Sequence, residues 1–322
     1  MSEFCEIGID EFISGKKVNL DLYIKLGAGK HVKIAHKGED LPPERLESYR
    51  QANVQYLYVS RADYEKFVAF QLSLAKAMTK TNIIPEEKRR LFIQQANETV
   101  LHQIFLDGVN PTSFQHASNI TAMNISIVSQ HQGLFNLLDQ LNSHADFLMA
   151  HSLGVSLYAT MLARVVEWNS PATLYKVSLG GLLHDVGLKE VPREILEKPF
   201  LNHTAEEQKI YRRHPLAGME MLKSAGDIPS EIPLIVAHHH EYRNGTGYPS
   251  GLKDAAIYPL AKIICIANEF CELTIKAPGV KPKSLTEALQ FLHAFKKPFL
   301  DLKMLEAFTK LFPDAAENLK TA

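Results

Sequence analysis

The chain has 322 residues, 46 % apolar and 22 % charged, which is enough apolar material for two domains or one large one without disulfide or metal staples. A formal net charge of -1 excludes the long-range field that would announce a nucleic-acid polymer or an acidic membrane, although a local patch could still hold a small anion. Cys5, Cys265 and Cys271 form no disulfide framework, and there is neither a secretory leader nor a membrane-length apolar run; the expectation is a cytoplasmic protein without membrane insertion.

Residues 1–62 read as a small α+β module. Val18, Leu20 and Leu22 alternate with Asn19 and Asp21, Gly27-Ala28-Gly29 turns the chain, and His31-Val32-Lys33-Ile34 resumes the alternation. A short helix over 44–50 and a strand over 55–59 follow. No residue set in this module converges on a site, so it is expected to serve in packing, dimerisation or contact with a protein partner.

Residues 63–124 read as a helical linker region. Tyr64, Phe67, Phe70, Leu74 and Met78 are spaced for one helical face behind an Asp63 cap, and Pro85-Glu86-Glu87 opens a second helix through 105. Asp107-Gly108 and Pro111 end it; further helices are expected over 113–129 and from about 132 past 151.

The chemistry gathers between 144 and 240, which hold eight of the fourteen histidines. His151 shares a face with Val155, Tyr158 and Leu162, and taken alone it reads as a hydrogen-bonded core residue before it reads as a ligand. Ser170-Pro171 opens a helix with Leu174, Val177, Gly181 and His184 on one face; Gly180 and Gly181 allow another helix or a ligand to approach, and Gly187 is expected to end the helix in a left-handed conformation. Thr204 to Glu207 is a capping box, and the proline after His214 predicts a kink or break there. Of His238, His239 and His240, at most two can face one cluster. Asn244 to Gly251 is a multi-turn loop, a weak signal by itself. Helices over 259–274, from 284 and beyond Pro298 complete the chain. Imidazoles with one carboxylate suit a first-row transition metal better than magnesium or calcium.

His184-Asp185-Val186-Gly187, His214-Pro215, His239-His240-Glu241 and Asn244-Gly245-Thr246-Gly247-Tyr248-Pro249 together resemble the HD-GYP family, the branch of the HD superfamily whose members hydrolyse cyclic di-GMP. The resemblance covers about residues 125–312 and implies a mainly α chain: a C-terminal HD-GYP helical bundle behind the small N-terminal α+β domain. It implies metal ligands at His151, His184, Asp185, His214, His239, His240 and Asn268, the last standing where the family has a carboxylate. The expected cofactors are two metal ions, iron ahead of manganese, because the glutamate associated with a third ion is Phe147 here. Asp185 would bridge, with His151, His184 and Asn268 on one ion and His214, His239 and His240 on the other.

Other departures fall on the substrate side. Leu188 replaces the family's lysine, with Lys189 next to it. Ala277, Pro278 and Gly279 replace an arginine, a proline and a tyrosine, and Val280 replaces a lysine, with Lys281 adjacent. Lys189, Lys281, Gly245, Gly247 and Tyr248 are the expected substrate contacts, and Asp185 and Lys189 the expected catalytic residues. Two activities are implied: a phosphodiesterase acting on cyclic di-GMP or a related nucleotide, or a metal-containing receptor that binds a nucleotide or protein partner without turnover.

Overall fold

The computed structural model describes residues 3–9, 18–79, 84–130, 142, 146–277 and 279–319. Its contacts divide the chain into two compact units, Met1–Thr99 and Val100–Ala322. The break falls inside one long helix.

In the first unit, strands β1 (Phe4–Gly8), β2 (Leu22–Leu26), β3 (Lys30–Ala35) and β4 (Tyr56–Ser60) form an antiparallel sheet in the order β1-β4-β2-β3. The glycine turn between β2 and β3 is the one expected. β1 was not expected, although Cys5 and Ile7 turn inward on either side of Glu6 and pair with β4. Helix α1 (Pro43–Gln51) precedes β4, and α2 (Arg61–Thr79) follows it and packs on β1 and β4. The buried face of α2 runs through Tyr64, Phe67, Val68, Gln71, Leu72 and Ala75, one helical stripe. The expected face through Phe70 is thereby corrected, since that ring is 50 % exposed.

The second unit is helical. The end of α3 (Glu86–Asp107) leads to α4 (Pro111–Gln130), α5 (Phe147–Val165) and α6 (Pro171–Leu183). The part of the expected helix over 131–141 and 143–145 lies outside the described residues; α5 itself starts on an Asp146 cap whose side chain accepts from the Leu148 amide. A 3-10 turn (Val186–Glu190), α7 (Arg193–Leu196), α8 (Ala205–Tyr211), α9 (His214–Ser224) and α10 (Glu231–His238) follow. Then come α11 (Pro259–Thr274), α12 (Leu285–Phe291), a π-helical turn (Leu292–Lys296), α13 (Leu302–Thr309) and α14 (Pro313–Leu319). No described helix is long and apolar enough to cross a membrane.

The core of this unit is α5 packed between α6 and α11. Gly181 lies against the backbone of Ser156, the close helix approach that its missing side chain permits. On the other side, Tyr158, Phe270, Phe308 and Phe312 meet ring to ring, Tyr158 and Phe270 edge to face at 5.0 Å. α5 and α11 are thereby held in register, with His151 and Asn268 facing each other at one end of the core.

Candidate metal centre

Each cluster residue stands at a helix end or on a helix fixed by the core. His184 and Asp185 follow the last turn of α6, which a Ser170 cap and Pro171 start; His239 and His240 follow α10. His214 opens α9 because Pro215, at the first turn, needs no donor there, so the helix that stops at Tyr211 restarts after a two-residue turn. The break expected at His214 is present. Together with Asn268 these side chains are buried, His184 and His239 completely.

Their ligand atoms gather in two sets that share Asp185: His151, His184 and Asp185, and Asp185, His214, His239 and His240, with the atoms of each set within 4.8 Å of one another. The two carboxylate oxygens divide between the sets. Oδ2 lies 3.1 Å from His184 Nε2 and 3.6 Å from His151 Nε2, whereas Oδ1 lies 3.2 Å from His214 Nε2 and 3.6 Å from His239 Nε2. Of the three tandem histidines, His238 stands apart and accepts from the Tyr258 amide.

The outer nitrogens decide what the inner ones can do. Nδ1–H donates to the carbonyl three residues back in His184 (Gly181, 2.7 Å), His214 (Tyr211, 2.8 Å) and His239 (Val236, 2.6 Å), so in the neutral form each ring turns a lone pair inward. His214 and His239 Nε2 are 3.2 Å apart with lone pairs facing, and buried Asp185 Oδ1 has no hydrogen-bond partner. Such an array is unfavourable without a cation and suited to one. His151 differs: its Nε2 lies 2.8 Å from Asn268 Oδ1 and its Nδ1 has no partner, which places the proton on the inward nitrogen. Asn268 Nδ2 in turn donates to Glu272 at 2.9 Å. The half of the cluster around His214 and His239 is therefore the better prepared for a metal ion.

Residues 123–303, more than half of the chain, match the HD domain family. The chain belongs to the HD domain family. Its motif order and relatives place it in the HD-GYP branch. It is 31 % identical over 195 residues to the cyclic di-GMP phosphodiesterase PA4108 of Pseudomonas aeruginosa, covering 61 % of this chain and 46 % of that one. It is 26 % identical to the cyclic di-GMP phosphodiesterase response regulator RpfG of Xanthomonas campestris, covering 83 % of this chain and 69 % of the relative. The chain thus spans about half the length of the Pseudomonas relative. Among solved structures, the HDG"Y"P protein Bd1817 of Bdellovibrio bacteriovorus superimposes with a TM-score of 0.76 over 96 % of this chain and 99 % of that one, at 20 % identity, which supports the fold. The buried histidine and aspartate cluster of this HD domain has the donor set and spacing that suit a divalent metal ion.

Burial and charge set the protonation of the cluster. Burial would raise the Asp185 carboxyl, but the imidazoles around it, His184 foremost, hold it well below the usual carboxylate range. Burial lowers His151 and His239 to about 4 against the pull of Asp185, and lowers His240 as well, helped by its histidine neighbours. For His184 burial is outweighed by Asp185, and its pKa is raised. Three depressed histidines oppose one raised one. A depressed histidine lets the unfolded chain bind more protons below about pH 6.5, each of the two near 4 corresponding to roughly 3 kcal/mol at the acid end. The metal-free HD domain is therefore expected to lose thermal stability progressively as pH falls from about 6.5 to 4, while the raised His184 adds an opposite, smaller loss as pH rises through its folded pKa; melting curves on both sides of pH 6.5 check this. A flat profile would contradict the assigned neutral histidines.

The expected substrate contacts fare differently. Lys189, expected to be catalytic, is turned to another partner in this structure: its Nζ donates to the carbonyls of Phe105 and Leu106 at 2.6 and 2.7 Å, where it caps the C-terminal end of α3. Leu188 is buried in a small apolar cluster with Val191 and Ile195 and offers no charge. Lys281 is exposed beyond α11, and its charge acts on Glu287 at the start of α12. Pro278 lies outside the described residues. Gly247 is a packing residue, since a side chain there would come within 2.5 Å of His240 O; Gly245 adopts a positive φ of 82° in the same loop. Tyr248 remains at the site, stacked on His240 with ring centroids 4.5 Å apart.

Residues that sequence reasoning passed over hold this arrangement. Glu241 accepts from the Ser250 and Leu252 amides at 2.7 and 2.8 Å and pins the loop. Tyr242 donates to Glu269, which Lys296 of the π-helical turn also binds at 2.8 Å, so the chain after the histidines is tied to α11. Glu272 is open to solvent yet crowded by protein; partial desolvation and the nearby Glu269 raise its carboxyl. Its position four residues after Asn268 was a readable signal, because both lie on one helical face.

Proposed function

We propose that the HD domain is a metal-dependent phosphodiesterase that hydrolyses cyclic di-GMP to its linear form or to GMP. The observation that carries this reading is one carboxylate, Asp185, whose two oxygens face separate groups of buried imidazoles. His214, His239 and His240 would hold one ion and His151, His184 and Asn268 a second, with iron ahead of manganese. When bound, such ions supply charge for a phosphoryl oxygen and a nucleophile at neutral pH. The chain's own part is orientation and charge. The carbonyls of Gly181, Tyr211 and Val236 fix three ring planes, Asp185 offsets cationic charge on both sides, and Tyr248 covers His240. The names of the Pseudomonas and Xanthomonas relatives support the substrate.

A receptor without turnover is the second reading, favoured by one observation: Leu188 is buried and apolar and Lys189 is committed to α3, so neither offers a cation to phosphate. Incubating iron- or manganese-loaded protein with cyclic di-GMP under reducing conditions separates the two. Metal-dependent loss of the dinucleotide that is absent from Asp185→Asn supports the enzyme; saturable binding with the dinucleotide intact supports the receptor.

Asn268→Asp tests the weaker half of the cluster. A carboxylate there would attract the ion next to His151 more strongly, and about a tenfold gain in its affinity is expected. In the metal-free protein the same change removes the donor to Glu272 and adds a like charge, costing about 1–3 kcal/mol. Metal titration and melting with and without metal should therefore move in opposite directions.

A further inference from the structure

Beyond the cluster, a wall of rings and one cation leads from His240 toward solvent. Tyr248 stacks on His240, the Arg212 guanidinium lies 5.5 Å from the centre of the Tyr248 ring, and it lies 5.9 Å from the ring of Phe200. Tyr211 braces the wall from behind, 5.3 Å from Phe200 and 5.1 Å from His214. Arg212 is exposed, and Phe200 keeps 38 % of its surface open. Among the described residues no carboxylate pairs with the guanidinium. Its contacts are these two ring faces, which leave its N–H donors available to a ligand.

Gly279 stands next to this wall: it has a positive φ of 69°, and a side chain built on it would come within 3.2 Å of Pro199, the residue before Phe200. Neither it nor Ala277 and Val280 carries charge, and the exposed Lys281 nearby is a point charge without a fork to read a base. Phe200 and Arg212 offer the ring and the planar donors that a base needs.

The geometry points to Phe200, Arg212 and Tyr248 as a nucleobase subsite, in which a purine stacks on the rings and the edge of Arg212 reads the O6 and N7 acceptors of guanine. Adenine presents an amino donor in place of O6 and cannot take both bonds. An exposed ring contributes stacking to either purine, whereas the planar fork distinguishes them. This assignment rests on the reading of the cluster as a nucleotide phosphodiesterase site, and places a base of the same ligand along the wall.

The test is titration calorimetry on the full, metal-loaded chain with GMP and AMP, neither of which has a phosphodiester to cleave. Wild type is expected to prefer GMP by about tenfold, and Arg212→Ala to bring the two affinities together. Arg212→Lys keeps the charge without the fork and should not restore the preference. Phe200→Ala should weaken both ligands by a similar factor, with metal content unchanged in all three variants. Three outcomes overturn the subsite: equal binding of GMP and AMP by wild type, binding of neither, or equal weakening of both by Arg212→Ala with rescue by Arg212→Lys, the mark of a phosphate contact. A cyclic di-GMP assay run in parallel keeps the two readings apart. An Arg212-dependent guanine preference without hydrolysis would remove the enzyme and leave the subsite; hydrolysis without that preference would do the reverse.

Discussion

Asp185→Asn is expected to lower metal affinity by more than about 100-fold and to abolish hydrolysis of cyclic di-GMP, with the fold retained. Loss of an outer partner of a metal ligand already costs 10- to 100-fold, and this change removes the negative charge that both groups of imidazoles share. Oδ1 and Oδ2 each lie within 3.2 Å of a histidine nitrogen, so no other side chain in the cluster faces both sets. The amide is similar in shape, and Asp185 lies at the junction between α6 and the 3-10 turn, where its side chain caps nothing. Melting close to that of metal-free wild type together with empty metal analysis is the expected pair of results. Retention of bound metal in Asp185→Asn would show that the imidazoles suffice and would remove the central role given to this residue.

Gly187→Ala is expected to have the largest effect on stability, above about 3 kcal/mol, and to reduce bound metal as well. A methyl group there would lie 2.0 Å from His214 O and 2.6 Å from Gly218 N, both backbone atoms of α9, which cannot rotate out of the way. The 3-10 turn carrying Gly187 and the first turn of α9 would have to separate, and Asp185 and His214 ride on those two pieces. For a unit of this size such a loss corresponds to a fall of roughly 10 °C in melting temperature. An unchanged midpoint with full metal content would show that the turn can shift without cost. Gly187 was expected to supply a left-handed helix end. It is absent from the positive-φ glycines, so its function is close approach.

The helical architecture was legible because caps and breakers act locally. Ser170-Pro171 and the Thr204–Glu207 box each set a helix start within a few residues and Pro215 a break, and both starts and the break are where the chain pattern put them. The strand at Phe4–Gly8 was missed because five residues of alternation carry too weak a periodicity; pairing with a strand some fifty residues later stabilises it. Phe70 was misplaced for a related reason: several faces of α2 are apolar enough to be buried, and the sheet chooses one.

The order of the motifs, through the resemblance they carry, pointed to the cluster residues, and the outer nitrogens of His184, His214 and His239 each find an acceptor three residues back. The direction of long, flexible side chains was decided only in three dimensions. Lys189 has enough reach to serve a phosphate or a helix end, and the open carbonyls of α3, more than eighty positions away, claim it. Arg212 had no motif to announce it, and its place beside Tyr248 exists only because α8 ends where the histidine loop returns. Short-range backbone preferences are encoded residue by residue, whereas the partner of a solvent-reaching charge depends on which distant surfaces the folded core brings together.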